Sequence, residues 1–121
     1  MVMSKQQMLD KAVKGLASQG FVQSRGPGIT ENPGRCAYRG NEGRRCAIGW
    51  LIPDDKYYPE LEKNGEGHKL PKSVLNFRPS SMSLVWRLQL AHDRAINPDQ
   101  MKQNLKDLAK EFGLRIPKEL K

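Results

Sequence analysis

The chain contains 121 residues, of which 37% are hydrophobic, and its 21 lysines and arginines against 13 acidic residues give a formal net charge of +8. This length predicts one domain over residues 1–121, and the composition excludes a membrane span, a disulfide-rich scaffold and a large multi-site enzyme. With two cysteines and no apolar N-terminal segment, we expect a cytoplasmic protein with reduced thiols and no membrane contact. The positive charge indicates an anionic partner, either an acidic protein surface or a nucleic acid.

The first predicted helix covers residues 5–19. Ser4 followed by Gln7 is the pattern of a capping box, and Gly20 is a natural end to the helix. The apolar residues between them recur at helical spacing and are expected to face the core: Met8, Leu9, Ala12, Val13, Leu16 and Ala17.

The second predicted helix covers residues 80–96 and begins after a serine cap at 80 or 81. One continuous apolar stripe is expected to face the core, with Trp86 outside it: Leu84, Val85, Leu88, Ala91, His92, Ala95 and Ile96.

The third predicted helix covers residues 98–112. Asn97 is its cap, Pro98 occupies the first helical position, and Gly113 ends it. We expect residues 115–121 to form a loosely docked tail. Residues 25–35, which are rich in glycine and proline, are expected to form a flexible loop.

A β-hairpin is predicted over residues 35–48, because Asn41-Glu42-Gly43 suits a three-residue loop with Gly43 in the left-handed conformation. In that register, strand alternation separates an apolar face from an arginine face. The apolar face carries Cys36, Tyr38, Cys46 and Ile48, and the other face carries Arg35, Ala37, Arg39 and Arg45. The predicted fold class is therefore α+β, a small single domain with a β-hairpin packed on about three main helices.

Two basic clusters are candidate binding surfaces. The hairpin contributes Arg35, Arg39, Arg44 and Arg45, and the third helix contributes Lys102, Lys106 and Lys110 at successive four-residue spacing. Guanidinium groups suit phosphate and carboxylate recognition, although cations at exposed helix positions are also ordinary solvated side chains. Trp86, if exposed near arginines, would mark a protein contact, whereas partial core burial is the commoner role of a tryptophan.

Metal binding and thiol catalysis are less favoured interpretations. Cys36, Cys46 and His92, with His68 in a polar loop, would suffice for zinc in number but lack the usual ligand spacing. A thiol enzyme would combine Cys46 with His92 and Asp93. Consecutive helical residues point about 100° apart, so Asp93 is not expected to orient its neighbour. We therefore expect no enzyme activity and no cofactor, and we interpret the cysteines as small buried residues.

Residues 36–62 carry a Cys-x-Tyr-Arg start, a glycine-containing turn, a Cys-Ala-x-Gly-x-Leu-Ile-Pro-Asp run and then a tyrosine. This pattern resembles the core of a group of small phage and prophage proteins. The positions that match are Cys36, Tyr38, Arg39, Gly43, Cys46, Ala47, Gly49, Leu51, Ile52, Pro53, Asp54 and Tyr57 or Tyr58. The resemblance extends to His92-Asp93 and to the C-terminal Phe-Gly-Leu at 112–114. It implies a mobile-element origin and a location in the cytoplasm of an infected bacterium.

The leading hypothesis is a phage-derived, non-enzymatic binding protein. It would engage a host defence or nucleic-acid-processing complex, a host protein or ribonucleoprotein, through its basic surface. One alternative is a DNA- or RNA-binding accessory protein that uses the same surface. The other is a small zinc-binding or thiol enzyme.

Overall fold

The computed structural model describes residues 3–24, 39, 43–58, 74–75 and 77–121. Within these ranges the chain forms three α-helices: α1 (Lys5–Ser18), α2 (Met82–Asp93) and α3 (Pro98–Glu111). Short 3₁₀ turns lie at Gly49–Leu51, Asp54–Lys56, Pro79–Ser81 and Lys118–Leu120. No helix in this part of the chain has the length and apolar character needed to cross a membrane. The predicted flexible loop at 25–35 lies outside the described residues.

Both ends of α1 follow the predicted signals. The Ser4 side chain accepts a hydrogen bond from the Gln7 backbone N–H, and the Gln7 side chain accepts one from the Ser4 N–H, so the capping box is confirmed. At the other end Gly20 adopts a φ of +70°, and the Phe21 N–H reaches back 2.8 Å to the Leu16 carbonyl. These bonds form a Schellman motif, which explains why a glycine ends the helix.

The third helix is also confirmed. The Asn97 side chain accepts a hydrogen bond of 2.7 Å from the Gln100 N–H, and Pro98 occupies the first turn. Gly113 adopts a φ of +65°, and the Leu114 N–H donates to the Ala109 carbonyl in a second Schellman motif.

The second helix is shorter than the predicted 80–96. Its last carbonyls are taken by a side chain from another part of the molecule: Gln23 Nε2 donates to the carbonyls of His92, Asp93 and Ala95 at 2.7, 3.0 and 2.7 Å. The two N–H groups of this amide are shared among the three acceptors, two of which belong to the last residues of the helix, and this supports an end at Asp93. The prediction that Ile96 belongs to the buried stripe is wrong, since its side chain is 83% exposed.

The predicted β-hairpin is wrong for the residues that the structure describes, none of which lies in a strand. Residues 46–48 are buried consecutively rather than alternately, and the Trp50 N–H donates to the Cys46 carbonyl in a helical turn. Arg45 finds its backbone hydrogen bonds on a side chain rather than on a neighbouring strand. The Gln19 side chain donates to the Arg45 carbonyl and accepts from the Arg45 N–H. The described chain is therefore helical rather than α+β. The predicted partner positions at 35–38 and 40–42 lie outside the described residues.

One core lies between the three helices, the turn at Gly49–Leu51 and the C-terminal turn. Its largest completely buried side chains come from every one of these elements: Met8, Leu9, Leu16, Ile48, Leu51, Ile52, Leu84, Leu88, Met101, Leu105 and Leu120. The C-terminal residues, which we expected to dock loosely, instead place Leu120 in this core. The Arg115 N–H also donates to the Gln6 side chain at 2.9 Å.

Candidate functional site

The site is built around Phe21, the residue that follows the end of α1. Its φ is +59°, a left-handed conformation that is uncommon for an aromatic residue. Gly20 supplies the left-handed residue of the Schellman motif, and Phe21 adds a second one directly after it, with its N–H bonded to Leu16 and its ring 7% exposed. Phe21 therefore belongs to the core and lies beside Lys102 of α3.

Phe21 brings together one residue from each predicted basic cluster. The Lys102 ammonium lies 5.7 Å from the centre of the Phe21 ring, within the range of a cation–π interaction. Arg44 lines an open cleft of about 260 Å³ with residues 21–23 and 95–98. Phe21 thus lies against Lys102 and lines the same cleft as Arg44. We call Arg44, Lys102, Lys106 and Lys110 the basic flank.

The lysines of α3 form one continuous row away from this cleft. With 1.5 Å of rise per residue, their four-residue spacing separates them by about 6 Å along the helix. None of the three forms an ion pair with a described residue. The acidic residues Asp107 and Glu111 lie on a row displaced by about 100°, where Glu111 binds Arg87 of α2. The two rows of α3 therefore carry opposite charge, with Asp99 the acidic residue in the first turn.

Two predicted site residues are occupied by internal contacts. Arg39 and Arg45 both bind Oδ1 of Asp54, at 2.9 and 3.1 Å. Arg39 also lies 4.6 Å over the Tyr57 ring, and Arg45 lies 4.8 Å over the Trp50 ring. We call Arg39, Arg45 and Asp54 the Asp54 cluster. These arginines hold the 44–58 segment together, so their charge is partly neutralised. Arg35 lies outside the described residues.

A buried polar network joins Ser24, the residue after the cleft residues 21–23, to the end of α2. The Ser24 N–H donates to His92 Nε2 at 2.9 Å, so this nitrogen is an acceptor and the proton resides on Nδ1. Nδ1 in turn contacts Asp93 Oδ1 at 2.9 Å. The expectation that Asp93 does not orient His92 is therefore wrong, because Asp93 ends α2 and is held there by Gln89, whose amide also donates to it.

Hydrogen bonds engage His92 and Cys46, the groups that zinc binding or thiol catalysis would need. Both ring nitrogens of His92 are hydrogen-bonded and the ring is completely buried. The Cys46 sulfur is buried and accepts from the Gly49 N–H at 3.3 Å. In the described ranges no three histidine, cysteine or acidic side chains are grouped to hold a metal ion. Cys36 and His68 lie outside those ranges.

Trp86 lies on the outer face of α2 and is 54% exposed. Met82, one turn earlier, is also exposed, and Arg87 lines the groove between α2 and α3 with Leu90 and Arg94. Of the two roles that the sequence left open for Trp86, the structure shows an exposed side chain rather than a core one. Both exposed apolar residues of this patch belong to α2, whereas the lysine row belongs to α3.

Sequence reasoning missed Phe21, Ile96 and the role of Gln23. A signal existed for the first two: an apolar residue directly after a helix-ending glycine is typical of a Schellman contact, and Asn97-Pro98 separates Ile96 from the next helix. No local pattern indicates that Gln23 would reach three carbonyls about 70 residues away.

Comparisons with protein-family models, curated proteins and solved structures found no match to this chain. The similarity of residues 36–62 to small phage proteins therefore stays a prediction.

Proposed function

We propose that this protein is a non-enzymatic binding protein that docks onto an acidic protein surface through its basic flank. The observation that carries the proposal is the row of three lysines that continues from Arg44 and Phe21 without an ion pair to a described residue. Such a row attracts an anionic surface over roughly the Debye length of 8–10 Å, so association depends on salt.

A protein partner is favoured over a nucleic acid by the absence of a stacking surface on the described part of this flank. Single-stranded nucleic acids bind to grooves in which exposed aromatic rings stack on bases. Phe21 is almost completely buried under Lys102, and the exposed Trp86 belongs to α2 rather than to α3. Direct DNA or RNA binding remains the second candidate, supported by the charge of the flank alone.

The resemblance to small phage proteins supports a partner in the cytoplasm of an infected bacterium. Small basic or acidic phage accessory proteins commonly act by binding rather than by catalysis. A host defence or nucleic-acid-processing complex is a suitable target, because a basic flank can bind an acidic patch on it or compete for its nucleic-acid channel.

The test is affinity capture from a bacterial lysate with two charge-matched variants. Lys106→Glu with Lys110→Glu reverses the flank, and Lys11→Glu with Lys14→Glu makes the same change on exposed positions of α1. Each pair lowers the net charge from +8 to +4, since each substitution removes two charges.

We expect the wild type and the α1 variant to retain the same proteins after nuclease treatment, and the flank variant to lose them. Equal capture by both variants contradicts the proposal. Capture that disappears on nuclease treatment supports the nucleic-acid candidate instead.

A further inference from the structure

We infer that the Phe21 cleft receives a single apolar side chain from an extended acidic segment of the partner, whose carboxylates then follow the lysine row of α3. This inference rests on the proposed function and names the partner's chemistry at that same surface. Three features of the described residues carry it: an exposed apolar wall, a fixed cleft shape and a match of spacing.

The exposed apolar wall is Ile96. Its side chain is 83% exposed although it lies beside Ala95, which is buried, and Pro98, which begins α3. A branched aliphatic side chain held this far into solvent at the rim of a cleft offers apolar surface that an incoming side chain can cover.

Hydrogen bonds hold the cleft open before a partner arrives. Gln23 fixes the carbonyls of residues 92, 93 and 95, and the Ile96 N–H donates to the Gln100 side chain at 2.7 Å. On the opposite wall the Phe21 N–H is bonded to Leu16. A preorganised cleft binds a side chain without the entropic cost of ordering its own walls.

The lysines beyond the cleft indicate that the partner's residues next to the apolar side chain are acidic. Lys102, Lys106 and Lys110 repeat every 6 Å or so along α3. In an extended peptide, alternate side chains project to the same side at a repeat of about 6.6 Å. Glutamates or aspartates at every second position therefore match the lysines, with the apolar residue placed next to Lys102 and Phe21.

A second copy of this chain does not fit the same surface. Two copies would bring together two lysine rows, each part of a chain with a net charge of +8, and like charges at close range oppose association. Charge complementarity therefore favours an acidic segment of a different protein as the occupant of the cleft and of the lysine row.

The test is fluorescence anisotropy at low salt with synthetic peptides. The anchor peptide has one leucine and then glutamates at every second position with serines between, made in both chain directions. A second peptide replaces the leucine with alanine, and a third replaces the glutamates with glutamines. We expect the wild type to bind the anchor peptide in one direction at least about tenfold more tightly than the alanine peptide, which is the lower end of what burial of one leucine side chain supplies.

Two variants of the protein locate the contact. Ile96→Ser removes the apolar wall at an exposed position and is expected to abolish the difference between the leucine and alanine peptides. Met82→Ser removes an exposed apolar side chain from α2 and is expected to preserve it.

The outcomes separate this inference from the proposed function. Equal binding of the leucine and alanine peptides, with weak binding of the glutamine peptide, overturns the cleft and leaves electrostatic docking in place. A difference that survives Ile96→Ser also overturns it. If neither glutamate peptide binds the wild type, both the cleft and the acidic-surface proposal are refuted.

Discussion

Gly15 of α1 provides a test of packing, because helix propensity predicts that Gly15→Ala raises the free energy of unfolding, whereas tertiary packing predicts that it lowers it. In an open helix, Gly→Ala stabilises by about 0.5–1 kcal/mol because glycine loses more backbone entropy on folding. A Cβ at Gly15, however, would lie 2.2 Å from Trp50 Cδ2, whereas ordinary contact begins at 3.4 Å. The indole would therefore have to move by about 1.2 Å, the difference between these two distances.

That displacement affects the contacts that hold residues 44–52 on α1. Trp50 Nε1 donates to Gln19 at 3.2 Å, and the Arg45 guanidinium lies over the indole. Overpacking of a core costs about 1–3 kcal/mol, and a lost hydrogen bond adds about 1 kcal/mol. After the gain in propensity is subtracted, Gly15→Ala should lower the free energy of unfolding by roughly 1–3 kcal/mol, or the Tm by about 4–10 °C.

The assay is urea denaturation followed by circular dichroism, in wild-type and Trp50→Ala backgrounds. Without the indole the clash is gone, so Gly15→Ala should become stabilising by about 0.5–1 kcal/mol. Lys14→Ala, at the exposed neighbouring position, is the control and should change stability by less than about 0.5 kcal/mol. If Gly15→Ala stabilises the wild type, or has the same effect in both backgrounds, the packing of Trp50 on α1 is not as described.

Three other substitutions test separate contacts. Leu120→Ala should lower the free energy of unfolding by about 2–5 kcal/mol in urea denaturation, because the side chain is completely buried, whereas a loose tail would give almost no change. His92→Phe should cost roughly 2–4 kcal/mol, because Ser24 loses its acceptor and Asp93 its contact. Amide hydrogen exchange at Ser24 should accelerate, and unchanged protection would argue against the bond. Asp54→Asn should destabilise by at most about 1 kcal/mol, since its carboxylate is 77% exposed, yet by more than the matched Asp55→Asn in thermal unfolding.

The helices were predictable because their signals are local. Ser4 with Gln7, and Asn97 with Pro98, satisfy the orphan backbone groups of a helix start within a few residues. Gly20 and Gly113 end their helices for the same kind of reason, since each supplies a left-handed residue where the motif needs one. Such signals are present in the sequence whatever the rest of the chain does.

The segment around Cys46 was mispredicted because its hydrogen-bond partners are distant side chains. An apolar run after a glycine-containing turn is typical of a strand, which normally pairs with a neighbouring strand. Here Gln19 and Gln89 provide partners for Arg45 and Ile48 from two different helices. The pattern of apolar residues indicated burial correctly but could not indicate which groups satisfy the backbone.

The lysines of the candidate site could be predicted from the sequence, but the contacts of its arginines could not. The lysine row follows directly from four-residue spacing on a helix, and the structure places it as expected. The sequence did not indicate which arginines form internal ion pairs, because Asp54 is separated from Arg39 by fifteen positions and no local pattern pairs them. Which cations bind inside the protein and which face outward is a tertiary property.

Gln23 also determines how deamidation should affect the fold. Its amide nitrogen faces three carbonyl oxygens, so the position accepts a hydrogen-bond donor and excludes an acceptor. Deamidation to glutamate would place a carboxylate against those oxygens at the C-terminal end of α2, which already carries the partial negative charge of the helix dipole. One hydrolysed amide, without any change elsewhere in the chain, would thus replace the Gln23 hydrogen bonds to residues 92, 93 and 95 with repulsion and weaken the wall of the Phe21 cleft, leaving the Ser24–His92 bond to hold this segment on α2.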